Sequence, residues 1–208
     1  MAQEAVAEIL GGLFDSANVK DFVKQFKECE SHYGEPMAFL EALAEWLPLR
    51  VHERYYGDDA PHAFFGVACA ASVLPVIAED RKWWPAVQQA WHAARQRLRA
   101  PWSDDGKPEV SGSTESRWEA FRQASAAKDF ASAHRLARGF LADENDAALF
   151  RKRILGEALG DGFADGLKLI LLAQSFQFSD LLNGKHAERI LFPALHFFVE
   201  ADAENWLP

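Results

Sequence analysis

Apolar residues recur along this chain at the spacing of a helix face. Val6, Ile9, Leu10, Leu13 and Phe14 follow the i, i+3, i+4, i+7, i+8 pattern of one buried stripe. Val19, Phe22, Val23 and Phe26 repeat it behind Asn18, a residue type that caps helix starts. Gly34 is expected to close that helix and Pro36 to open the next, which carries Leu40, Leu43 and Leu47 and stops at Pro48. A short segment, Val51 to Tyr56, leads into the turn Gly57-Asp58-Asp59. From Pro61 to about Glu79 the residues are nearly apolar all round, which predicts a central helix, kinked or split at Pro75. A helix from Pro85 is expected to bury Val87, Ala90, Trp91, Ala94 and Leu98.

Residues 101–115 are rich in Ser, Gly, Pro and Asp and read as a linker. Beyond it the helical spacing resumes with Trp118 and Phe121, then Phe130, Ala133, Ala137 and Phe140, then Phe150, Ile154 and Ala158. Asp161 or Asp165 is expected to cap a very apolar helix ending near Phe176. A last helix runs towards Trp206, started or kinked by Pro193. No stretch alternates like a strand between hairpin turns. The reading is an all-α protein: one globular bundle of about ten helices over residues 1–208.

Self-similarity refines that picture. Lys20-Asp21-Phe22 recurs as Lys128-Asp129-Phe130. His62-Ala63-Phe64, leading to Ala70 and Ser72, matches Asp165-Gly166-Leu167, leading to Ala173 and Ser175. Ala90, His92 and Trp102 match Ala194, His196 and Trp206. The order is shared and the offset nearly constant, so two half-repeats, 1–102 and 114–208, are expected. Their most apolar helices, near Val67 and Ile170, should bury each other.

Charge and composition then exclude partners. The net charge of −9 removes the counterion-release term on which nucleic-acid binding depends. Arg151, Lys152 and Arg153 read as a solvated face. The longest apolar stretch is too short to span a membrane, and the N-terminus has no signal-peptide pattern. Two cysteines without clustered partner ligands suit a reducing, cytoplasmic setting, with Cys69 as a small core residue. Sixteen Phe and seven Trp supply either a bulky core or an aromatic-lined pocket.

Common catalytic signatures such as G-x-S-x-G, a phosphate loop and H-E-x-x-H do not occur. Glu157, Asp161 and Asp165 would share a face on one helix and could hold a hard cation, but Gly160 and Gly162 break that helix, so capping is the better reading. His134, between Ser132 and Arg135, is expected at the surface, and His32 at a helix C-terminus. The duplication groups His62 with Asp165 and His92 with His196. If the halves meet about a pseudo-twofold axis, three imidazoles and a carboxylate would form a Zn or non-haem iron set, or acid–base groups in a pocket. Otherwise His62 and Asp165 begin helices and His92 and His196 are core histidines.

The segment P-H-A-F-F-G-V-A-C-A-A-S-V, Pro61 to Val73, resembles the His-led apolar helices of questin-oxidase-like proteins. That resemblance implies a helical fold and oxidation of an aromatic polyketide. The stretch A-x-x-K-D-F-x-x-A-x-x-L-A within Trp118 to Leu141 is similar to part of a tetratricopeptide-type hairpin, without a sustained period. Two functions stand side by side. One is a helical accessory or scaffold protein that binds a partner chain or a second copy through an apolar surface. The other is a metal-dependent or cofactor-free oxidoreductase, or a binding protein, for a hydrophobic or aromatic small molecule held between the halves.

Overall fold

The computed structural model describes residues 2–16, 18–47, 60–94, 106–160 and 166–200, the side chains of 2–7 and 60–64 excepted. Among them are ten α-helices and no strand. The first five are α1 (Ala2–Phe14), α2 (Val19–Tyr33), α3 (Pro36–Trp46), α4 (Ala60–Val73) and α5 (Trp83–Ala94). The second five are α6 (Thr114–Ala126), α7 (Phe130–Leu141), α8 (Glu144–Gly160), α9 (Leu167–Leu181) and α10 (Ala187–Glu200).

Local chemistry sets the helix ends. Asn18 Oδ1 accepts the backbone N–H groups of Lys20 at 2.9 Å and Asp21 at 3.1 Å, which satisfies two of the donors left open in the first turn of α2. At the other end Gly34 takes φ 70°, a left-handed conformation, and its N–H donates to Glu30 O at 3.0 Å. Pro36 then occupies the first turn of α3. Pro75 ends α4 early: the chain tightens into a 3₁₀ turn, Leu74–Val76, and the helix does not reach Glu79. Beyond another 3₁₀ turn, Glu79–Arg81, α5 starts at Trp83 and buries Ala86, Ala90 and Ala93, a face rotated by one residue from the expected one. Trp83, Val87, Trp91 and Ala94 are only partly buried against it. Pro193 lies inside α10 rather than at its start. The cap of α9 is Gly166, with φ 82°, rather than an aspartate; Asp161 and Asp165 lie outside the described residues.

Consecutive helices pack on one another within each set of five, and α4 packs along α9 to join the sets. One cluster of buried apolar side chains includes residues of both sets, Leu10, Phe39 and Val67 together with Phe121, Ile154 and Phe192. The turn between α9 and α10 adds polar ties across the join. His186 Nε2 lies 3.2 Å from Glu41 Oε1, and Arg189 Nη1 donates to Glu45 O at 3.2 Å. Cys69 stands exposed rather than in the core, its Sγ donating to Gln174 Oε1 of α9 at 3.6 Å. Ile170 is half exposed, so α9 meets α4 through other positions.

At each sequence match the local settings differ. Lys20 and Asp21 lie in the first turn of α2, whereas Lys128 has φ 55° and Asp129 is the cap of α7. Ala70 is buried and Ala173 exposed; His92 is exposed and His196 buried. Residues 106–113 are no free linker. Glu109 N–H donates to Arg135 O at 3.0 Å, and Arg138 Nη1 donates to Gly106 O at 2.7 Å. Gly139 permits this docking, since a Cβ there would stand 1.8 Å from Glu109 O.

Candidate functional site

A cleft of about 1090 Å³ opens on the second set of helices. Helix periodicity builds its walls. From α6 come Trp118, Phe121, Arg122 and Ser125, an i, i+3, i+4, i+7 stripe; from α8 come Leu149, Lys152, Arg153, Gly156 and Glu157, a stripe of the same kind. A stripe this polar cannot pair with another as core, and Gly156 contributes no side chain. A Cβ on Gly156 would meet nothing within 4 Å. The first turn of α9 adds Lys168 and the end of α10 adds Phe198.

Three rings on this lining form a stack with a cation at each end. The Arg153 guanidinium stands 5.7 Å from the Trp118 ring centre. Trp118 stacks on Phe121 at 5.4 Å and 19°, and Phe121 on Phe198 at 6.2 Å and 20°. Lys168 Nζ then stands 5.5 Å from the centre of Phe198. Offset-stacked rings of this spacing attract one another, and their negative faces attract cations. Lys168 is only 3% exposed. Arg153 Nη2 donates to Glu115 Oε2 at 2.6 Å, and Arg122 Nε lies 3.1 Å from Glu157 Oε1. Arg153 Nη1 and Ser125 Oγ are buried without a hydrogen-bond partner. Buried donors in that condition are uncommon in folded proteins and mark places where another molecule can supply the acceptor.

Of the expected four-residue set, only His92 and His196 have described side chains. His62 lies in the first turn of α4 with its side chain outside the described residues, as is Asp165 altogether. His92 is exposed on α5. His196 is 5% exposed on α10, its ring 4.4 Å from the centre of Phe130 and 6.3 Å from that of Phe192. Neither described histidine lines the cleft. No group of three or more His, Cys, Asp or Glu among the described residues is arranged to hold a metal ion. His134 is a correction: it is 3% exposed, not at the surface, because Phe130 and Phe192 enclose its ring at 5.6 and 5.1 Å.

Of Arg151, Lys152 and Arg153, read as a solvated face, Lys152 is exposed and the two arginines are half-buried and paired. Arg151 binds Asp180 across the α8–α9 contact, while Lys152 and Arg153 line the cleft. Two signals in the chain pointed there. Trp118, Phe121, Arg122 and Ser125 share a face that mixes rings with a cation, and Lys168 is the one charged residue in the apolar run from Leu167 to Phe176. Among the described residues no helix is long and apolar enough to cross a membrane. No family model, no curated protein and no solved structure matches this chain.

Proposed function

We propose that the protein binds a small organic molecule in the cleft between α6, α8, α9 and α10. The observation that carries this reading is the Trp118–Phe121–Phe198 stack lining an open cleft of about 1090 Å³, large enough for a ligand of drug-like size. Trp118 and Phe121 are buried and Phe198 half-buried, so the rings back the cleft as an apolar wall, and Ser125 and Arg153 offer polar donors beside them. A small-molecule binder is one of the two functions the sequence leaves open; the cleft lined by these residues lies within the second set of helices.

The test uses the room over Gly156. Gly156→Phe adds a side chain to the cleft lining where a Cβ meets nothing within 4 Å, and it removes a helix-interior glycine, so the fold should be kept. Wild-type protein should bind the neutral fluorophore phenylnaphthylamine, and Gly156→Phe should lose that binding with its circular dichroism unchanged. Equal binding by both proteins would refute the reading. A second reading, an accessory protein that holds a partner chain, is supported by Val76, 82% exposed, and Trp84, 66% exposed, which lie near each other in sequence just before and within α5. A Trp84→Ser variant that stays monomeric and equally soluble, alongside a wild type that self-associates, would favour it.

A further inference from the structure

Hydrogen-bond donors and acceptors on the cleft lining do not balance. Its two carboxylates are taken by arginines: Arg153 Nη2 donates to Glu115 Oε2, and Arg122 Nε faces Glu157 Oε1. Two donors of the same lining are left over. Arg153 Nη1 and Ser125 Oγ are buried and have no hydrogen-bond partner among the described residues. A buried donor without an acceptor loses hydrogen-bond energy that an acceptor brought into the cleft would restore.

The two donors are not equivalent. A serine hydroxyl turns freely and on a helix can serve a carbonyl of the preceding turn. A guanidinium is planar and rigid, so its N–H bonds point only where its plane points. Glu115 holds one edge of the Arg153 plane, and the guanidinium carbon stands 5.7 Å from the Trp118 ring centre. Nη1 is therefore a fixed donor beside the aromatic wall. The charge there is already balanced by Glu115, so a carboxylate on a ligand would meet an anion as well as the cation. Lys128 and Lys152 are exposed, and Lys168 stands at the opposite end of the stack, over Phe198. The acceptor that fits beside Arg153 is a neutral oxygen.

We infer that the ligand of this cleft is a neutral planar aromatic carbonyl compound, its rings against the Trp118–Phe121–Phe198 wall and its carbonyl oxygen accepting from Arg153 Nη1. The inference rests on the ligand-binding reading and adds the chemical class. The wall attracts any flat apolar body. The guanidinium selects the one with an oxygen at its edge, because a hydrogen bond from a charged donor is stronger than one between neutral groups.

Fluorene and 9-fluorenone share a three-ring frame in which a methylene of the first is a carbonyl in the second. Fluorenone is the more polar, so apolar burial alone favours fluorene. In equilibrium dialysis the wild-type protein should bind fluorenone roughly tenfold more tightly than fluorene. Fluorene-9-carboxylate should bind more weakly than fluorenone. Arg153→Met keeps an apolar stem and leaves Glu115, which is exposed, in water; it should bring fluorenone down to the level of fluorene and leave fluorene unchanged. Ser125→Ala should retain most of the preference. Three results would overturn the carbonyl class: equal wild-type affinity for fluorene and fluorenone, tighter binding of the carboxylate, or a preference that survives in Arg153→Met or is lost in Ser125→Ala instead. The first two need no variant, so they decide the matter even if Arg153→Met fails to fold. In each case loss of both neutral probes from Gly156→Phe leaves the cleft reading standing. If the wild type binds neither, or Gly156→Phe binds both as the wild type does, the two readings fall together.

Discussion

In α1–α5 the interior is ring against ring. Phe14 meets Trp46 at 4.7 Å, Phe22 meets Trp91 at 5.0 Å, and Phe39 sits between Phe26 at 5.3 Å and Trp83 at 6.1 Å. In α6–α10 rings are just as frequent, but charge is buried among them. The buried polar and charged residues described, Arg117, His134, Lys168, Ser175, Ser179 and His196, all belong to α6–α10. Arg117 shows how such a group is held. It is paired with Asp146, donates to Gly139 O at 3.3 Å, and stands 4.8 Å over Phe140. A core that tolerates such groups needs partners for each of them. The described part of the first set packs ring on ring, and the cleft of about 1090 Å³ opens on the second set.

The largest expected effect tests the filled side. Phe39→Ala should cost about 3–5 kcal/mol and lower Tm by roughly 10 °C, because Phe39 is fully buried and its neighbours are rigid rings that cannot collapse into the space. A urea titration measures it, and a loss below about 1 kcal/mol would show that the aromatic interior is loosely packed. On the charged side, Arg117→Met should lower Tm by roughly 5 °C, since it strands Asp146 while nearly conserving volume. The double variant Arg117→Met with Asp146→Leu should recover most of that loss. No recovery would mean that shape, not charge, sets the cost there as well.

The two sets should also fail at opposite ends of the pH scale. Burial, helped by Glu28, pushes the Cys29 thiol up to about 11 from 9.0, and burial pushes the Tyr33 hydroxyl up to about 12 from 10.0. Both are neutral acids in the folded chain, so their contribution is complete below pH 9.0 and is lost as pH rises towards 11 and 12. Asp146 is held below the usual 3.8 by hydrogen bonds from Arg117 and then Thr114, and Asp129 by Ser132. Their contribution is present above 3.8 and is lost as pH falls through the depressed folded values. Cys29→Ala should therefore flatten the alkaline fall in Tm and leave the acid fall alone, and Asp146→Asn the reverse. Either variant moving both limbs equally would break the distinction. The smallest effect is chemical: of the two thiols, exposed Cys69 should react with a thiol reagent in the native protein and buried Cys29 only after denaturant is added.

Helices, caps and buried stripes were legible in the chain because each depends on residues within a few positions of one another. Asn18, Gly34 and Pro36 act through the backbone they adjoin, and the spacing of Phe150, Ile154 and Ala158 predicts one buried face directly. Pro75 was readable as an interruption for the same reason. The cleft was not legible in that way. Lys152 and Arg153 share a face of α8 by periodicity, but periodicity does not say whether that face looks at water or at Trp118 and Phe198 from other helices. His134 and His196 are likewise polar residues whose burial depends on Phe130 and Phe192 closing over them from another turn or another helix. Local periodicity determined which residues would share a side; only the packing of α6, α8, α9 and α10 decided which sides would face each other, because that choice is made by contacts between residues far apart in the chain, such as Phe121 and Phe198.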